Sequence, residues 1–76
     1  MKGHAMNNQQ RQIVSYMERF GSITPMQAID HLGITKLSTR VGELKQQGYD
    51  IAQAYESSYN RFGRKCRYMR YWLRRN

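Results

Sequence analysis

Apolar positions in the first half of the chain recur at helical spacing, and those near its end alternate. Ile13, Val14, Met17 and Phe20 fall at i, i+1, i+4 and i+7, one stripe along a helix. Asn7 and Asn8 can cap that helix and Gly21 stops it, which predicts a first helix running to about Arg19 or Phe20. Ser22 and Ile23 form a short extended link. Thr24 then stands as an N-cap, with Pro25 at the first helical position and Gln27 three residues after the cap, the pattern of a capping box. A second helix is predicted over residues 25–32, with Ala28, Ile29 and Leu32 inward, Gly33 ending it and Ile34 plugging the core from the turn. Thr35 is expected to cap a third helix over residues 35–47, with Leu37, Val41 and Leu44 as its buried stripe and Gly48 as its stop.

After Gly48 the period changes to two. Tyr49, Ile51, Gln53 and Tyr55 alternate along one strand. Ser57 to Lys65 is polar and holds Gly63, the composition of a hairpin loop, and Cys66 to Leu73 is the aromatic-rich returning strand. Met69, Tyr71 and Leu73 are expected to face the core, with Arg70 and Trp72 facing out or toward a partner. The order predicts an α+β fold: a three-helix core followed by a C-terminal β-hairpin wing. Residues 1–76 form one domain in this reading, with 1–7 a flexible start and 74–76 a frayed tail.

A chain of 76 residues buries only about 60% of its unfolded surface, which leaves little room for an enclosed substrate cavity. Thirteen Lys and Arg against five Asp and Glu give a net charge of +8, and the excess sits at one end. Residues 1–55 hold Lys2, Arg11, Arg19, Lys36, Arg40 and Lys45 against Glu18, Asp30, Glu43 and Asp50. Residues 56–76 hold Arg61, Arg64, Lys65, Arg67, Arg70, Arg74 and Arg75 against Glu56 alone. A balanced body with a cationic appendage points to an anionic partner bound through one surface: nucleic acid, an acidic protein or a membrane. No apolar run approaches the ~18–20 residues that cross a bilayer, and no apolar segment follows Lys2 as in a secretion signal. Cys66 is the single cysteine, so no internal disulfide can form. A reducing cytoplasm fits this cysteine usage.

Catalytic chemistry has little to work with. His4, His31 and one cysteine do not make a zinc constellation. No Gly-rich phosphate loop and no Ser/His/Asp set stands out, and Cys66 in a strand reads as a small packed residue rather than a nucleophile. No enzyme, cofactor, metal or small-molecule substrate is expected.

The stretch from Gly21 to Ile51, with its Thr24-Pro25 start, its Leu32-Gly33-Ile34-Thr35 turn and its Leu44-Lys45-Gln46-Gln47-Gly48 ending, resembles the small winged helix-turn-helix proteins of bacteriophages and prophages. Asn60 to Leu73 is similar to their wing and final strand, and the resemblance covers residues 10–73. It implies a DNA-binding winged helix, of a kind that includes excisionase-like factors and transcription regulators. Gly33 lies five residues after Ala28, where repressor-type helix-turn-helix units usually show four. That departure favours the winged variety over a lambda-repressor-like fold.

In such a motif the second helix enters the major groove and its first residues reach base edges. Here those are Thr35, Lys36, Ser38, Thr39 and Arg40. Lys or Arg can pair with guanine, Ser and Thr are permissive, and small residues at 38, 39 and 42 let the helix sit deep. Arg40 lies at the edge of the stripe, with phosphate contact or an internal pair as alternatives, and Glu43 could read cytosine N4 or discourage phosphate approach. The free N–H groups at Thr24–Gln27 and Thr35–Leu37 can each take a phosphate. Thr24, Arg61, Arg64, Lys65, Arg67 and Arg70 form the expected backbone and wing set, with the wing at 56–67. Tyr55, Tyr59, Phe62, Tyr68 and Trp72 interleave with these cations, either packing in the core or stacking on bases. Roughly four to seven phosphate contacts are expected. The expected partner is double-stranded DNA, held by a homodimer or a cooperative multimer. The competing readings are a module that captures a host protein and an RNA-binding winged helix.

Overall fold

The structure is a computed structural model that describes residues 7–74. Of the expected flexible start 1–7, residues 1–6 lie outside the described residues, as do 75 and 76 of the tail, while Asn7 is the N-cap of the first helix. Helix α1 spans Asn8–Phe20, α2 opens over Pro25–Gln27 and widens into a π-helical turn over Ala28–Leu32, and α3 spans Leu37–Gln46. Strands β1 (Ile51–Tyr59) and β2 (Lys65–Leu73) form an antiparallel hairpin.

Each helix starts where the local chemistry directs it, with one exception. Asn7 closes a capping box with Gln10, and Thr24 closes one with Gln27. At α3 the expectation is corrected. Thr35 does not cap: the helix begins at Leu37, Lys36 occupies the cap position, and no side chain satisfies the first N–H groups there. Thr35 and Lys36 therefore project from the turn rather than from the helix. The five-residue interval between Ala28 and Gly33 is spanned by the π turn, and Gly33, at φ 69°, returns an N–H to Ile29 O at 3.1 Å. Only a residue at ease in the left-handed region reverses the chain there at little cost.

The core collects Ile13, Val14, Met17, Ile23, Ala28, Ile34, Leu37, Val41, Leu44, Ile51 and Tyr71, with Leu32, Tyr49, Met69 and Leu73 packed against it. Two expected core residues differ. Phe20 is 63% exposed, because it is the last residue of α1 and the chain turns away at Gly21. Tyr16 is buried in its place, its ring tilted against that of Phe20 with centroids 4.6 Å apart and its Oη sharing a 2.6 Å hydrogen bond with His31 Nδ1. Ile29 is 45% exposed: the wider turn rotates it off the 3.6-residue stripe from which its burial was expected.

The hairpin is longer than the alternation alone indicated. Ser57, Ser58, Tyr59 and Lys65, expected in the loop, pair in the ladder, and the turn contracts to residues 60–64. Ile51 faces Leu73, Gln53 faces Tyr71, Tyr55 faces Met69, Ser57 faces Arg67 and Tyr59 faces Lys65. Directly paired residues share a face of the ladder, so one face runs from the core out to a mixed aromatic and cationic end. Ile23 bridges to Tyr71 on the other edge of β2 and ties the α1–α2 link to the sheet. Arg74, the first residue of the expected frayed tail, donates from its backbone to Asp50 O at 2.9 Å and from its guanidinium to Asp50 Oδ1 at 3.0 and 3.1 Å.

Candidate nucleic-acid interface

Two surfaces carry the residues singled out by the sequence: the outer side of α3 with the turn before it, and the distal half of the hairpin. On the first, Thr35, Lys36, Ser38, Thr39, Gly42 and Gln46 are exposed. Thr39, Gly42 and Gln46 follow one another at helical spacing and form a single strip. Gly42 sits within α3, and a Cβ placed on it would meet nothing within 4 Å. The fold itself thus gives no reason for a glycine at that position.

Arg40, expected among the base readers, is engaged inside the protein. Its Nη1 donates to Glu43 Oε1 at 2.7 Å and Oε2 at 2.8 Å, and its Nε–H is buried without a partner. Glu43 is in turn held by Gln10 Nε2 at 2.7 Å, and Gln10 Oε1 accepts from Gln47 Nε2 at 3.1 Å. The Gln10 amide, and next the Arg40 guanidinium, lower the Glu43 carboxyl from its ordinary value. This network joins the first turn of α1 to the middle and end of α3, and it answers what Glu43 does. Sequence reasoning missed Gln10. The signal was there: Gln10 stands at i, with Ile13, Val14 and Met17 at i+3, i+4 and i+7, so a polar residue occupies the buried stripe and must find partners there.

The wing set divides. Thr24 is buried, and its hydroxyl accepts from Gln27 N–H at 3.3 Å while its own N–H donates to Gln27 Oε1 at 3.1 Å. Its polar groups serve the cap, not an exposed surface. Arg70 lies on the opposite face of the hairpin from Lys65 and Arg67. Its Nε donates to Glu56 Oε2 at 2.8 Å and its Nη1 to Ser22 Oγ at 2.7 Å. The pair lowers the Glu56 carboxyl and raises the Arg70 guanidinium, each chiefly through this hydrogen bond. Arg70 is thus a clamp between the hairpin and the α1–α2 link. Arg61, Arg64 and Lys65 are exposed and have no ion pair among the described residues. The Arg67 guanidinium lies 4.6 Å from the centroid of the Tyr55 ring.

The hairpin face that carries Lys65 and Arg67 is the one α3 reaches. Lys45 Nζ in α3 donates to Gln53 Oε1 in β1 at 2.7 Å, and Gln53, Tyr55, Ser57 and Tyr59 alternate onto that face. Lys65 and Arg67, opposite Tyr59 and Ser57, share it. Tyr68 and Trp72 are half-buried on the other face, with Cys66, whose thiol approaches Arg64 O at 3.8 Å. Among the described residues no group of three His, Cys, Asp or Glu could hold a metal ion, and no helix is long and apolar enough to cross a membrane.

A helix-turn-helix with a basic β-hairpin beside its second helix is a winged helix, a nucleic-acid-binding architecture. The family model described as the winged helix-turn-helix domain matches residues 8–76, and the chain belongs to that family. No curated protein and no solved structure matches the chain.

Proposed function

We propose that the protein is a non-enzymatic duplex-DNA-binding protein. Its α3 enters the major groove, with Thr35, Lys36, Ser38 and Thr39 at the base edges. Its wing lays Arg61, Arg64, Lys65 and Arg67 along the adjacent backbone or minor groove. The observation that carries this reading is that Lys65 and Arg67 of the wing stand on the sheet face that α3 meets through Lys45 and Gln53, whereas Arg40, Arg70 and Arg74 are consumed by Glu43, Glu56 and Asp50. The cations left over are those a phosphate backbone would meet.

In this reading Arg40 and Thr24 position the motif and contact no base. The sequence resemblance supports a phage or prophage setting and a role as excisionase-like factor or transcription regulator, and the proposed place of action is the bacterial cytoplasm. One module of this size buries about 600–1,000 Å² on DNA, so we infer that two or more copies act together, as a dimer or on neighbouring sites.

The test is fluorescence anisotropy with labelled duplexes, from fragments around its own gene and from random sequence, across a salt series. A slope of log affinity on log salt of about −4 to −6 is expected, with preference for one fragment. Absence of duplex binding at the lowest salt would overturn the proposal and favour a host-protein partner with an acidic surface that meets the same wing cations.

A further inference from the structure

Three aromatic side chains along the wing lie outside the core. Tyr55, Tyr59 and Phe62 are 65%, 73% and 81% exposed, in a domain small enough that every buried ring would help it fold. Tyr55 has a partner on one side, the Arg67 guanidinium. Phe62 stands furthest from the core, on a turn that is itself well tied. Asn60 Oδ1 accepts from the N–H of Phe62 at 2.9 Å and of Arg64 at 3.0 Å. Asn60 N–H donates to Arg64 O at 2.8 Å, and Gly63 N–H donates to Asn60 O at 3.0 Å. Gly63 takes φ 77°, which a side chain there would resist. A backbone ordered in this way presents its ring before any ligand arrives, and much of the ordering cost of binding is already met. Arg61 and Arg64 flank the ring along the chain, and neither has an acidic partner among the described residues.

We propose that Phe62 is a nucleobase-stacking wedge: where the wing meets a duplex, its ring enters between two stacked bases from the minor groove, Arg61 and Arg64 hold the flanking phosphates, and the DNA bends away. This rests on the duplex-binding reading and deepens it. Apolar side chains inserted at a base step partly unstack it and kink the duplex by about 20–90° toward the major groove. A benzyl ring accepts the π-face of any base, so the wedge itself reads no sequence. Preference arises where unstacking costs least, at pyrimidine–purine steps such as TA and CA. The reach is sufficient. From Tyr55, already exposed, to Tyr59 the strand advances four residues, roughly 13 Å at strand rise, against a minor groove about 7.5 Å deep.

The experiment uses the whole chain and a duplex of about 30 base pairs with a central TA step, 2-aminopurine at that step and a fluorophore pair at the ends. Binding of the native protein is expected to raise the 2-aminopurine emission and to shorten the end-to-end distance. Phe62→Ala, at a position too exposed to affect folding, is expected to abolish both signals while weakening binding about five- to 150-fold. Phe62→Trp is expected to restore them. Arg64→Ala is expected to weaken binding yet leave both signals intact at saturation. If the native protein binds the duplex with no change at the labelled step, or if Phe62→Ala behaves as the native protein does, the wedge is overturned and duplex binding stands. A response on the single strand but not on the duplex also overturns it, in favour of unpaired bases. Failure to bind either duplex or single strand at the lowest salt removes both proposals together.

Discussion

Gln10 in the first turn of α1 donates from Nε2 to Glu43 Oε1 in α3 at 2.7 Å. The two residues are 33 positions apart, and the bond joins the helix that begins the fold to the helix that carries the proposed reading strip. Arg40 grips the same carboxylate through Nη1, so the orientation of α3 depends on a polar network as well as on Leu37, Val41 and Leu44. Truncating Gln10 leaves Glu43 with one partner fewer in a half-buried setting. Gln10→Ala is expected to cost about 1 kcal/mol of stability. Denaturant titration measures this, and an unchanged midpoint would show the network to be decorative.

Two bonded carboxylates, Glu43 and Glu56, predict how stability depends on pH. Glu43 is held below its ordinary value of 4.5 by Gln10 and then Arg40, and Glu56 below the same value chiefly by Arg70. A carboxyl with a folded value below its unfolded one stabilises the fold fully above the unfolded value, and the contribution disappears as pH falls through the folded one. Tm is therefore expected to hold from neutral pH down to about 4.5 and to decline below it. Glu43→Gln is expected to make the decline shallower. A level Tm through the acid range would contradict the assignment.

Gly42 offers a test that separates folding from binding. Its missing side chain has no packing reason within the chain, since an added Cβ meets open space. Gly42→Ala is expected to raise stability by about 0.5–1 kcal/mol, the usual gain for alanine over glycine inside a helix. If α3 lies deep in the major groove, the same substitution lowers duplex affinity. A variant that is more stable and binds DNA as well as before would argue that this strip of α3 does not face the groove.

Base reading and backbone holding should separate by substitution. Thr39→Ala or Lys36→Ala is expected to reduce the preference for one duplex over another. Arg64→Ala is expected to weaken all duplexes alike and to reduce the salt slope by about 1. Comparable, sequence-independent losses from all three would sink the division of roles.

Arg70 and Arg67 are expected to part company. Arg70 is bonded to Glu56 and Ser22, so Arg70→Ala is expected to lower stability by about 1 kcal/mol and to leave the salt slope of DNA binding unchanged. Arg67→Ala, beside an exposed tyrosine, is expected to do the reverse. Calorimetry on the free protein and anisotropy on the duplex, taken together, decide it.

What local spacing alone could determine, it determined. The i, i+1, i+4, i+7 run of α1, the capping box of α2, the stripe of α3 and the switch to period two after Gly48 each depend on residues within a turn or two of one another. They suffice for three helices, a hairpin and the winged arrangement. The exposed cations Arg61, Arg64 and Lys65 were legible for the same reason: nothing acidic lies near them in sequence. The roles of Arg40, Arg70 and Thr24 were not settled in this way. Local spacing did allow an Arg40–Glu43 pair, but the choice between that pair and phosphate became visible only with Gln10, 33 positions from Glu43. Arg70 depends on Glu56 at 14 positions and Ser22 at 48, and burial of Thr24 follows from packing. Charge draws a residue onto a list of DNA contacts, and only the tertiary structure decides whether that charge is still free when the chain has folded, because the partner that consumes it is brought near by the fold and not by the sequence.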